Sequence, residues 1–160
     1  MRFKKEETDK LQYVDKENIT MTPKEECEVL LNSILPMAEK LLEKNGEFYP
    51  VGAVLKSDDT VSMTAAFDGN EFPDSKVVIG GLVDIHRKLA IKDEIKVSGI
   101  AWNGSVQVRR KTKDAIIVSL EHKDGYSVVI GEPYQIGIFK KIKFGELFAL
   151  PGKNDVFHAE

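Results

Sequence analysis

The stretch TPKEECEVLLNSILPMAEKLLEKNG at 22–46 specifies one long helix, and the rest of the chain must cover its apolar side. Thr22 suits the cap and Pro23 the first helical position. Glu25 completes a capping box, in which the cap hydroxyl and the glutamate each satisfy a backbone donor left free at the helix start. Asn45-Gly46 supplies an ending that tolerates left-handed backbone. Between these signals Cys27, Leu30, Leu31, Ile34, Leu35, Ala38, Leu41 and Leu42 recur at helical spacing and form one stripe. Pro36 lacks a donor and crowds the preceding turn, which predicts a kink or break over 32–35. Because the stripe continues past Pro36, one bent element is expected rather than two.

After this helix the apolar period changes to the alternation of strands. Segments 51–56 and 60–67 flank Ser57-Asp58-Asp59, which has turn chemistry, so they predict a hairpin. Val61, Met63, Ala65 and Phe67 share one side of its second strand and predict a buried face there. In the loop DGNEFPDS, Asp74 or Ser75 can cap a second helix running to about residue 90, with Val78, Leu82, Ile85 and Leu89 as its stripe. Gly80-Gly81 inside it costs about 1 kcal/mol per glycine relative to alanine, implying an irregular helix or a closely packed neighbour. Segment 95–102 reads as a strand, and Asn103-Gly104 as a hairpin turn into 105–108. Residues 109–113 read as a loop or ragged strand end. A further hairpin joins 115–121 and 126–130 around Lys123-Asp124-Gly125. Pro133 belongs at a strand end or sheet edge. The segment YQIGIFKKIKFGELFALPG gives one more edge strand and an arm that packs back. The expected class is α+β: a mainly antiparallel sheet of five or six strands with two helices, in the order αββαβββ.

At 160 residues the chain suits a single domain over 22–160, preceded by a charged, apolar-poor arm over 1–21. A net charge of -3 provides no overall basic field, which argues against nucleic acid as a partner. No apolar run reaches the roughly 20 residues of a membrane span, and MRFKKEETDK has no signal-peptide core. The single cysteine excludes an internal disulfide and suits a reducing, cytoplasmic setting.

The element order resembles the profilin-like and roadblock-like α/β/α sandwiches, a likeness of topology that carries no function. The phrases GEFYPVGAVL, AAFDGNEFPDS, SLEHKDGYSV and FGELFALPG resemble a group of small bacterial proteins of unknown function, over residues 22–157. That resemblance implies a domain met as a stand-alone bacterial protein and supplies no catalytic residues.

Chemical signals are sparse. Asp68, Asn70, Glu71 and Asp74 offer oxygen ligands but not the spacing of a calcium loop, and helix capping accounts for Asp74. Glu121 and His122 are adjacent on a strand and point to opposite faces. His86 and His158 are remote from them in sequence, so no zinc spacing arises. Cys27 lies on the apolar stripe and reads as core. The basic clusters Arg109, Arg110, Lys111, Lys113 and Lys140, Lys141, Lys143 read as charges that protect edge strands from pairing with other chains. There is no Gly-rich phosphate loop, G-x-S-x-G elbow or H-E-x-x-H, and no cofactor or metal is expected.

The resulting expectation is a small cytoplasmic bacterial domain that acts by binding a protein or itself, an immunity protein being one version of this, without catalysis. Phe48, Tyr49, Phe144 and Phe148 are the candidate partner-binding residues, since aromatics anchor interfaces. The alternative is a small hydrolase using Asp68, Glu121 and His122 at the sheet edge, which requires those three groups to converge.

Overall fold

The computed structural model describes residues 20–66 and 74–157. The expected N-terminal arm, but for its last two residues, and the loop bearing Asp68, Asn70 and Glu71 lie outside the described residues.

Helix α1 spans Pro23–Asn45. It starts on the expected capping box: Thr22 Oγ1 accepts from Glu25 N at 3.1 Å, and the Glu25 carboxylate accepts from Thr22 N. Gly46, at φ 76, ends it by donating to the Leu42 carbonyl. The helix runs through Pro36 as one element, as the continuous stripe predicts, and does not break over 32–35. Leu30 and Ile34 before the proline and Ala38 and Leu42 after it are all fully buried, so packing holds both halves against the sheet.

The sheet comprises β1 (Val51–Lys56), β2 (Val61–Thr64), β3 (Ile95–Val108), β4 (Lys111–His122), β5 (Ser127–Ile136), β6 (Ile142–Phe144) and β7 (Phe148–Pro151); α2 (Ser75–Ile91) follows β2. Strands run in the order β2-β1-β3-β4-β5-β6, all pairs being antiparallel. The class and element order are those expected. Seven strands form because β6 and β7 share the outer edge of β5 end to end, β6 on 134–136 and β7 on 128–131.

Two expected features are corrected. Asn103-Gly104 is no turn: β3 runs straight through it, and the hairpin closes at Arg109-Arg110, both in left-handed backbone (φ 51 and 67). Gly104 instead makes room, since a Cβ there would meet Ile117 Cγ1 at 3.0 Å and the Trp102 ring at 3.3 Å. Strand β2 is short and lies at the sheet edge, and neither of its sides is fully buried: of the expected side, Val61 packs against the larger core, and Phe67 lies outside the described residues. Met63 is exposed, while Thr64 and Ala66 face α2.

Pro133 sits inside β5, at the junction between its two outer partners. Its carbonyl accepts from Gly145 N at 2.7 Å on the outer side. A strand residue points its N–H and C=O the same way, so the missing donor falls where β7 has ended and β6 has not begun.

Alternation sorts the side chains onto two faces. Leu30, Ile34, Ala38 and Leu42 of α1 pack on Ala53, Leu55, Val97, Ala101, Ile116, Val118 and Leu120 in one continuous cluster. On the opposite face α2 packs Val78 and Leu82 against Ile100. Gly81 explains the glycine pair in part: a Cβ there would lie 3.0 Å from Ala66 Cβ, and α2 stays regular through both glycines. Beyond α2, Phe148 covers Gly131, and the 152–157 segment folds back over the sheet, where Val156 is buried.

Candidate functional site: a cationic fork in the sheet

The residues singled out for catalysis do not converge. Glu121 is buried on the α2 face, where its Oε1 accepts from Val156 N at 2.9 Å. Burial raises its pKa, and the backbone donors of Asp155, Val156 and Phe157 oppose that rise. This carboxylate fastens the chain's C-terminal segment. His122 points to the α1 face. Its Nδ1 accepts from Asp124 N at 3.0 Å, so Nε2 carries the proton and donates to Glu26 Oε1 at 3.1 Å. Lys96 bridges Glu26 at 3.4 Å and Asp59 at 2.5 Å, tying the start of α1 to the sheet. Asp68 is outside the described residues.

Other buried polar groups are also used by the fold. His86 lies fully buried between Thr64 Oγ1 (2.7 Å from Nε2) and Ser98 Oγ (2.6 Å from Nδ1). Burial pushes its pKa down to about 4. Burial likewise pushes the Cys27 thiol up to about 12, with Glu26 and Glu28 adding to the shift, which makes it a core group and not a nucleophile. Glu132 on β5 is buried beside Glu39 of α1. Desolvation and the neighbouring carboxyl push it up to about 8, and its Oε1 has no hydrogen-bond partner among the described residues. No group of three or more His, Cys, Asp or Glu suited to a metal occurs among the described residues.

Of the aromatic candidates, Phe48 is buried in the α1-side core, and Phe144 and Phe148 pack against hydrophobic clusters. Tyr49 is half exposed. Phe139, at 96%, is the most exposed large apolar side chain among the described residues; Ile138 beside it, on the turn between β5 and β6, is 81% exposed, and Ile91 at the end of α2 is 85% exposed. Phe139 and Lys140 both hold φ 60, a conformation that costs a non-glycine residue about 1–3 kcal/mol.

The structure brings Lys111 and Lys113 of one basic cluster to the same groove as Lys143 of the other, which sequence spacing keeps apart. Pairing between β4 and β5 ends at Ala115↔Pro133. Beyond that rung β4 stays with β3 as far as Lys111, while β5 turns away with β6, so the sheet forks. The opening is a groove of about 750 Å³ lined by 111–114 of β4, 133–136 of β5 and 143–145 at the end of β6, among them Lys111, Lys113, Asp114, Tyr134 and Lys143. Its floor is fixed by Tyr134 Oη, which donates to Asn103 Oδ1 at 2.6 Å. Among the described residues, Arg109, Arg110, Lys111, Lys113, Lys140, Lys141 and Lys143 make no ion pair, so this end of an acidic chain carries an excess of positive charge, with Asp114 the one carboxylate in the groove lining.

No sequence signal marks this site, because it depends on where two strands part. Each cluster alone looks like ordinary edge protection. No helix among the described residues is long and apolar enough to cross a membrane. Comparison with protein-family models, curated proteins and solved structures finds no match.

Proposed function

We propose that this chain is a small, non-catalytic protein-binding or regulatory domain of the bacterial cytoplasm, and that an acidic protein partner docks at the fork. The observation that carries this reading is the convergence of Lys111, Lys113 and Lys143 on an open groove beside exposed Ile136, Ile138 and Phe139. Exposed apolar surface rimmed by polar residues marks interaction sites, and a cationic rim favours a partner of complementary negative charge. An immunity protein against a toxin encoded nearby is one form of this reading. Glu121 and His122, occupied on opposite faces, favour binding over hydrolysis.

The test is capture from a host lysate with wild-type protein and with the double variant Lys113→Glu/Lys143→Glu. The expected result is a stoichiometric partner held by the wild type and lost by the variant, with thermal unfolding unchanged. A partner retained equally by both would sink the assignment of the fork.

A further inference from the structure

We infer that the fork accepts an extended peptide segment as an added strand between β4 and β5, with acidic and apolar side chains alternating along it. This rests on the protein-binding reading and goes on to specify the partner's shape and sequence pattern.

The backbone supplies the first half of the argument. Pro133 directs its carbonyl to β6's side of β5, so its neighbours in the alternation, Tyr134 and beyond it Ile136, direct theirs toward β4. Pro133 pairs with Ala115 without exchanging hydrogen bonds, since it has no donor. Ala115 therefore points its groups toward β3, and Thr112 on the same strand points toward β5. No backbone pair joins Thr112 to Ile136. Beyond the last rung, Thr112 and Ile136 thus direct their backbone groups into the space between the walls, as sheet edges that bind peptides do.

Side-chain alternation supplies the second half. Lys111 and Lys113 share the α2 face of the sheet with Ala115 and Ile117, and Lys143 joins them through its pairing with Gln135. Tyr134, Ile142 and Phe144 lie on the α1 face, against the larger core cluster. A strand entering the fork sends successive side chains to opposite faces. One set meets the lysines and the other meets Tyr134, Ile136 and Phe144. The complementary sequence has carboxylates at every second position and apolar residues between them.

The experiment uses the full chain and a fluorescent peptide of alternating Glu and Val, about ten residues long, matched to strands of ordinary length. Controls are a peptide of equal composition with its Glu and Val in separate blocks, the alternating peptide N-methylated at alternate amides, and a single-stranded oligonucleotide. The alternating peptide is expected to bind in a salt-sensitive way and to slow hydrogen exchange at the Thr112 and Ile136 amides. Binding should fall at least about ten-fold for Lys113→Glu/Lys143→Glu and for either peptide control. Equal binding of the block or N-methylated peptide would overturn the strand-addition inference, and tighter binding of the oligonucleotide would overturn the peptide assignment. If the alternating peptide fails to bind while the lysate partner is still lost with the double variant, the inference falls and the protein-binding reading stands.

Discussion

Over the α1 face, Leu30, Ile34, Ala38 and Leu42 interlock with the central strands, and no polar group interrupts the middle of that contact. Over the α2 face the apolar clusters are small and share only Trp102, and polar links supplement them: His86 to Thr64 and Ser98, Arg87 to the Asp155 carbonyl, and Glu121 to Val156. Apolar burial is non-directional and strong per residue, whereas a buried hydrogen bond contributes little net but is costly to break. The middle of the first face should therefore resist pH and fail through cavities. The second should fail through lost partners and protonation.

The largest effect is expected from Leu30→Ala, which empties a fully buried site against Gly99 and should cost about 2–5 kcal/mol by chemical denaturation. A loss under 1 kcal/mol would show that the α1 face is loosely packed. Acidification should act next, and on the α2 face. His86 titrates near 4 when folded and near 6.5 when unfolded, so the unfolded chain takes up the proton first. Its contribution is complete above pH 6.5 and is lost as pH falls toward 4, by about 3 kcal/mol. Ser98→Ala, which leaves Nδ1 without a partner, should cost about 1–3 kcal/mol, and unchanged stability would remove His86 from this account.

Glu132 tests the comparison from the other side, as a buried carboxyl at the margin of the α1 face. Its folded pKa of about 8 exceeds its unfolded value of 4.5, so stability declines as pH rises through that interval. Glu132→Gln should flatten the fall in melting temperature between pH 5 and pH 8, and an unaltered slope would show that Glu132 ionises freely. The smallest effect belongs to the fork. Lys113→Glu/Lys143→Glu should change stability by no more than about 0.5 kcal/mol per substitution, since both side chains are exposed and unpaired among the described residues.

Local chemistry made α1, α2 and the turn at Lys123-Asp124-Gly125 legible, because caps and turn residues act over a few positions. Asn103-Gly104 misled because the same dipeptide that favours a hairpin also fits a crowded strand, where Gly104 yields space to Trp102 and Ile117. Arg109 and Arg110 take the left-handed turn that no glycine marks. The fork lay beyond sequence reading for a different reason. Its lysines are about 30 positions apart, and only the end of pairing at Ala115↔Pro133 places them together.

The long β3–β4 hairpin has a consequence for the order of folding. Its register pairs run without interruption from Val108↔Lys111 to Val97↔His122, all closed by one two-residue turn. Each rung needs little additional loop closure once the last has formed, so this hairpin is the least entropically demanding part of the sheet to assemble. β1, by contrast, reaches β3 only across the whole of α2. We expect truncations at Ala101 and Val118 to slow folding, and truncations in β1 to act mainly on unfolding. The hairpin would then serve as the template on which both helices later find their places.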